Sequence, residues 1–182
     1  MLVTDFLFLH KKIPNINQVY RPHGLVEFQP LIPRRAGVQA IEAVFRLCQQ
    51  EGTQSLLCGV KRHRSDDYPL SYAGDGYSIG IDMARRRRTA ESMTRFARRL
   101  GEMVADWGGK LYLAKDEWLP RDLFERMYPR YRIFLQVKRR LDPEGRFASD
   151  LYRRLLSPME QDGKAPVVLG DAQVAVSGVS RP

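Results

Sequence analysis

Polar side chains recur at every second position of several short apolar segments, and no other residues in the chain are so well placed to do chemistry. Glu27 and Gln29 alternate with Val26 and Phe28, Lys61 and His63 follow Val60 at the same spacing, and Ser78, Gly80 and Asp82 alternate with Tyr77, Ile79, Ile81 and Met83. Tyr112 stands between Leu111 and Leu113. Successive side chains of a strand point to opposite faces. Each segment therefore predicts a half-buried strand whose other side carries acid, amide, ammonium, imidazole and hydroxyl groups. That face is polar and, at Gly80, partly hollow. It has the character of a ligand surface, and equally that of the solvated side of an antiparallel sheet.

Other chemistry is poorly supported. The chain contains no GxGxxG, GxxxxGK[ST], HExxH, CxxC or GxSxG run, so the usual nucleotide, zinc and hydrolase signatures are missing. His10, His23 and His63 are scattered, and Cys48 and Cys58 make neither a metal spacing nor a disulfide framework. Asp66-Asp67 and Asp116-Glu117 are sequence neighbours whose side chains diverge, so neither is an acid/base pair by itself. No metal site is expected. Arg85 to Arg88 precede a helix start, where positive charge opposes the helix dipole. Unless an anion sits there, that run is a solvated strand exit.

The elements that must position these groups follow from periodicity. The 182 residues carry a formal charge of +9 and 43% apolar residues, the make-up of a soluble folded chain. Asp5 interrupts the apolar start and no cationic region precedes it, so the first residues read as neither signal peptide nor membrane span. The alternation predicts strands at Leu25 to Ile32, with an edge or bulge irregularity at Pro30, at Ser55 to His63, at Tyr77 to Met83 and at Lys110 to Leu113. Between them fall two helices. In the first, Val38, Ile41, Phe45 and Cys48 share a face and Gly52 ends it. In the second, Thr89 caps a stripe of Met93, Phe96, Leu100, Met103 and Trp107, and Gly108-Gly109 ends it.

The order β-α-β-β-α-β predicts an α+β fold, a ferredoxin-like antiparallel sheet of four strands with both helices on one face, followed by short C-terminal helices. Val26, Phe28, Val60, Ile79, Ile81, Leu111 and Leu113 then lie under the helices. Pro129 separates two of the C-terminal helices, Asp142 to Gly145 form a turn, and Ser149-Asp150 cap a last helix through Leu156. These helices hold more apolar residues than a small sheet needs, which implies a further surface to pack on. Ser157 to Pro182 are small and turn-rich and read as a disordered tail. An RNA-recognition reading fails because Ser78, Gly80 and Asp82 cannot stack bases and Asp82 would repel phosphate. No nucleic-acid partner is expected.

Longer motifs point further. GGKLYLAKDEW (Gly108 to Trp118), MYPRYRIF (Met127 to Phe134) and KRRLDPEGRFASDLYRRL (Lys138 to Leu155) closely resemble the C-terminal part of FAD-dependent oxidases of the vanillyl-alcohol-oxidase superfamily. The nearest branch resembled is that of the decaprenylphosphoryl-β-D-ribose oxidases, with the aldonolactone oxidases more distant. NQVYRPHGLVEFQPLIP and PLSYAGDGYSIGID resemble the first and third strands of the same family's substrate domain.

The resemblance implies that Glu27, Gln29, Lys61, His63, Ser78, Gly80 and Tyr112 face flavin and substrate. It makes Lys115 the catalytic candidate, an ammonium beside the edge of the ring where negative charge collects on reduction. It implies a leading segment at 1–23, a substrate-binding cap domain at 24–115, a helical segment at 116–157 and the tail at 158–182. The activity implied is oxidation of a sugar or sugar-lactone hydroxyl by hydride transfer to FAD. The cofactor would belong to the complete enzyme and would not be retained by this chain alone, since no glycine-rich pyrophosphate loop is seen. The partners implied are an FAD-binding domain or subunit and a sugar-type substrate, phosphorylated or not, in a cytoplasmic setting with at most peripheral membrane contact. Glu27 stands where related sequences tend to carry an amide, and His63 where an aromatic is common. The alternative function is a non-catalytic ferredoxin-like module that binds an anionic ligand or a protein through the same face.

Overall fold

Four alternating segments become one antiparallel sheet, and their register decides which side chains share a face. The structure, a computed structural model, describes residues 24–53, 55, 58–84 and 90–157, with Pro14, Asn15 and Gln18. The leading segment's remaining positions, Thr89, the Arg85 to Arg88 run and the tail from 158 onward lie outside the described residues. Two compact units divide the chain at Pro129 and Arg130. The first holds the sheet and the second the last helices.

In the first unit the elements run β1 (Leu25–Phe28), β2 (Pro30–Pro33), α1 (Gly37–Gln50), β3 (Cys58–His63), β4 (Gly76–Ala84), α2 (Ala90–Asp106), β5 (Lys110–Leu111) and α3 (Arg121–Met127). β1 and β2 both pair antiparallel with β4, β3 lines the other side of β4, and β5 pairs with β2. With β1 and β2 counted as one strand, the order across the sheet is last, first, third, second, all antiparallel, as a ferredoxin-like fold requires. The expected irregularity at Pro30 is a break in pairing and not a bulge. Phe28 faces Ile81 and Leu31 faces Ser78, three residues further along each strand, so no residue is inserted. Proline has no N–H to give the ladder, which interrupts the strand without shifting its register.

The dry face packs under helices. Val26, Phe28, Ile32, Ile79, Ile81, Met83 and Leu111 are buried, together with Met93, Phe96, Ala97, Leu100 and Val104 of α2. Phe28 and Phe96 meet edge to face at 5.2 Å. Each such side chain contributes roughly 1.5–3 kcal/mol on burial. At Gly101 an added Cβ would fall 2.7 Å from Leu123, so the missing side chain lets α3 lie close against α2.

Two expectations about this core need correction. α1 buries Ala40, Val44, Leu47 and Cys48, whereas Val38 and Phe45 are exposed, so the dry stripe lies about a quarter turn from the expected one. Apolar residues occupy both adjacent faces, and pattern alone does not choose between them. Val60 is 60% exposed instead of covered, because helix contacts gather on β2 and β5 and leave β3 as a bare edge strand.

The last strand stops at Leu111, and Leu113–Lys115 form a 3-10 turn. Tyr112 N–H still donates to the Gln29 carbonyl at 3.1 Å, keeping that residue on the sheet. Asp116 then accepts the N–H groups of Trp118 and Leu119 at 3.1 and 2.8 Å, which turns the chain sharply just after Lys115.

The second unit contains α4 (Tyr131–Leu141) and α5 (Asp150–Leu155). Ser149 caps α5 by accepting the Tyr152 N–H at 3.1 Å, as the sequence pattern implies. Asp142 gathers the N–H groups of Arg146 and Phe147 and the Lys138 ammonium, which together hold its carboxyl below the ordinary range. Phe147 and Leu141 are 79% and 77% exposed.

Candidate functional site

The polar face of the sheet is built in rungs, each crossing several strands. Leu31, Ser78 and Lys61 form one rung with Lys110 beyond Leu31. On the next, Gly80 pairs with Gly59, and the register places Gln29 on the other side of Gly80. The third brings Glu27 opposite Asp82. All seven residues named on strand positions in the sequence lie on this face or at its margin, as period-two alternation requires.

The face is divided into a covered half and an open half. Over the first rung, loop 64–75 folds back across the sheet. Lys110 Nζ donates to the carbonyls of Ser71 and Ala73 at 2.6 and 3.0 Å, and Tyr72 donates its hydroxyl to the Gln29 carbonyl at 2.9 Å. The Tyr72 ring lies 4.7 Å from Tyr112 and meets His63 edge-on at 5.4 Å. Beneath it Ser78 is fully buried and Gln29 is 5% exposed. Ser78 Oγ lies 2.8 Å from His63 Nε2 and accepts from Gln29 Nε2 at 3.3 Å. Burial, and after it the charges of Lys61 and Arg62, hold the His63 pKa below its ordinary value. Burial likewise pushes the Tyr72 phenol well above its usual range. Gln29 Oε1 is the one buried side-chain oxygen without a hydrogen-bond partner among the described residues.

Beyond this cover the face opens. A Cβ placed on Gly59 would meet nothing within 4 Å, and one on Gly80 would meet Glu27 Oε1 at 3.3 Å. Glu27 forms an ion pair with Lys115, the two side chains being 20% and 37% exposed. Asp82 has its pKa raised, chiefly by burial and then by the charge of Glu27, while Lys115 and Lys61 pull the other way. A cleft of about 200 Å³ runs along Leu25, Val26, Glu27, Lys115, Glu117 and Trp118. The open half therefore combines a floor without side chains with a pair of opposite charges that also line the cleft, whose Trp118 wall packs on Phe28 of the dry face.

These features suit the ring of a flavin better than its diphosphate. A flat heterocycle could lie on the glycine rung with the Lys115 ammonium at its edge, whereas the unpartnered Gln29 oxygen is buried under the Tyr72 cover and out of reach of it. A diphosphate needs backbone amides directed at it. Gly108 and Gly109 stand at the C-terminal end of α2, with their N–H groups donated to Ala105 and Val104, and Gly76 is paired in β4. Among the described residues no group of three or more metal-binding side chains occurs.

Sequence reasoning missed Tyr72, Glu117 and Trp118. Tyr72 lies in a loop without periodicity. Trp118 and Glu117 owe their places to the turn set by Asp116, for which the Asp-x-Trp spacing is a weak local signal. Among the described residues no helix is long and apolar enough to cross a membrane.

Comparison with known proteins gives a consistent picture. A family model described as D-arabinono-1,4-lactone oxidase matches residues 25–155. Decaprenylphosphoryl-β-D-ribose oxidase of Mycolicibacterium smegmatis is 32% identical over 140 residues, 76% of this chain and 29% of that protein. Alditol oxidase of a Streptomyces species is 24% identical over 149 residues, 81% of this chain and 36% of the relative. L-gulono-1,4-lactone dehydrogenase of Mycobacterium tuberculosis is 26% identical over 135 residues, covering 72% and 31% respectively. The chain thus spans about a third or less of the length of these curated relatives.

Proposed function

The chain belongs to the D-arabinono-1,4-lactone oxidase family, and on that premise we propose that it is the substrate-side, C-terminal portion of an FAD-linked oxidoreductase acting on a sugar or sugar-lactone hydroxyl. The observation that carries this reading is the open half of the sheet face, where the Lys115–Glu27 pair flanks the Gly59–Gly80 rung. The bound flavin would supply a two-electron acceptor. Lys115 would offer a positive charge to the edge of the ring, Tyr112 would orient a hydroxyl group, and Trp118 would exclude water from one side of the cleft. An FAD-binding domain or subunit would hold the diphosphate.

Reconstitution tests the reading. The chain is expressed together with the FAD-binding part of a family relative, and the visible flavin band is followed after adding an aldonolactone, an alditol or a sugar phosphate. Bleaching that depends on one of these substrates and on the presence of this chain is expected. A complex that retains flavin yet is reduced by none of them would overturn the oxidase reading and favour a binding module.

A further inference from the structure

Glu27 does more on this face than line the cleft. Its carboxylate bridges two features that sequence separates widely. One oxygen takes the Lys115 ammonium, which lies 88 positions away, and the other lies over Gly80, where a Cβ would approach it to 3.3 Å. Lys115 sits at the end of a short 3-10 turn, carried on a flexible four-carbon stem. Nothing else shown on the sheet face binds its ammonium, so without Glu27 the stem is at liberty to swing towards solvent. Asp82, the cross-strand partner of Glu27, is a competing carboxylate that feels the charges of Lys115 and Lys61, and Glu117 also lines the cleft.

We propose that Glu27 is a positioning residue, whose ion pair holds the Lys115 ammonium as a fixed cation at the edge of the Gly59–Gly80 floor. The proposal rests on the functional reading above for its catalytic consequence, but the placement of Lys115 is a property of this chain alone.

The test has two arms. In the first, the full chain is labelled with nitrogen-15 and the side-chain ammonium signals of its lysines are recorded, Lys115 being assigned from Lys115→Arg. A held ammonium gives a sharp, slowly exchanging signal, and Glu27→Gln should abolish that of Lys115 while Asp82→Asn keeps it. An unchanged Lys115 signal in Glu27→Gln, or equal loss in Asp82→Asn, overturns the proposal. In the second arm, the reconstituted flavin complex carrying Glu27→Gln should show flavin reduction slowed by about tenfold at saturating substrate with KM within about twofold, and Glu27→Asp should recover part of the rate. A KM effect with an unchanged maximal rate would make Glu27 a substrate contact and overturn the positioning role. If wild-type complex shows no substrate-dependent reduction while the ammonium signal responds as expected, the oxidase reading falls and the Lys115 placement stands.

Discussion

One sheet face is covered over one half and bare over the other. Around Ser78 the polar groups are sealed under Tyr72 and satisfy one another, with the Gln29 oxygen alone excepted. Around Gly80 the backbone is bare, and the charges of Glu27 and Lys115 stand at the mouth of a cleft. Both halves present the same alternating polar pattern in sequence. The difference lies in what folds over them. A buried polar network stabilises only when each group finds a partner, whereas a floor without side chains costs strand stability and is useful only if something else occupies it.

Substitutions should separate the two halves. The largest effect is expected in the open half: in the reconstituted complex, Lys115→Met should preserve the fold yet slow flavin reduction by about two to four orders of magnitude, the range for losing one electrostatic group. Stopped-flow bleaching of the flavin measures it, and an unchanged rate would reduce Lys115 to a surface lysine. Next comes the cover. Tyr72→Ala uncaps Ser78 and Gln29 and removes a ring packed on Tyr112 and His63, so a loss of about 2–3 kcal/mol is expected in urea unfolding. A loss no larger than that of an exposed loop substitution would mean that loop 64–75 only rests on the sheet.

Gly80→Ala should do the reverse of Tyr72→Ala. Its new Cβ meets the end of a flexible glutamate side chain at 3.3 Å, so stability should change by less than about 1 kcal/mol. Substrate-dependent flavin reduction should nevertheless fall about tenfold, because the floor is raised. If stability falls and reduction does not, Gly80 is structural and the open half is misassigned.

The smallest expected effect concerns pH. His63 has its folded pKa lowered by burial first and by Lys61 and Arg62 second. Between the two values the unfolded chain binds the proton more readily than the native chain. The neutral ring therefore contributes stability that is fully present above the unfolded value of about 6.5 and is lost as pH falls through the folded pKa. The urea midpoint should drop between neutral and mildly acidic pH, and His63→Phe should flatten that drop. Equal slopes in the two proteins would remove His63 from the covered network.

Much of this arrangement was legible in the residues themselves. Period-two alternation assigned Glu27, Gln29, Ser78, Gly80, Lys61 and His63 to one face and Val26, Phe28, Ile79 and Ile81 to the other, and the register agrees. The order of strands and helices gave the sheet topology, because antiparallel strands with two helical crossovers have few compact solutions. The motifs from Gly108 to Leu155 pointed to the family to which the chain belongs. Local signals sufficed wherever the determinant was local, as with the Ser149 cap.

Tertiary structure decided the rest. Which face of α1 is dry depended on where the sheet lies, since apolar residues border both candidate stripes. Which half of the polar face stays open depended on Tyr72 reaching the Gln29 carbonyl across 43 positions, and the state of Lys115 on Glu27 across 88. The pattern of a strand records only which side a residue faces, because that follows from its own backbone. Whether that side is covered, paired or left bare is set by chain distant in sequence, and only folding brings such partners together.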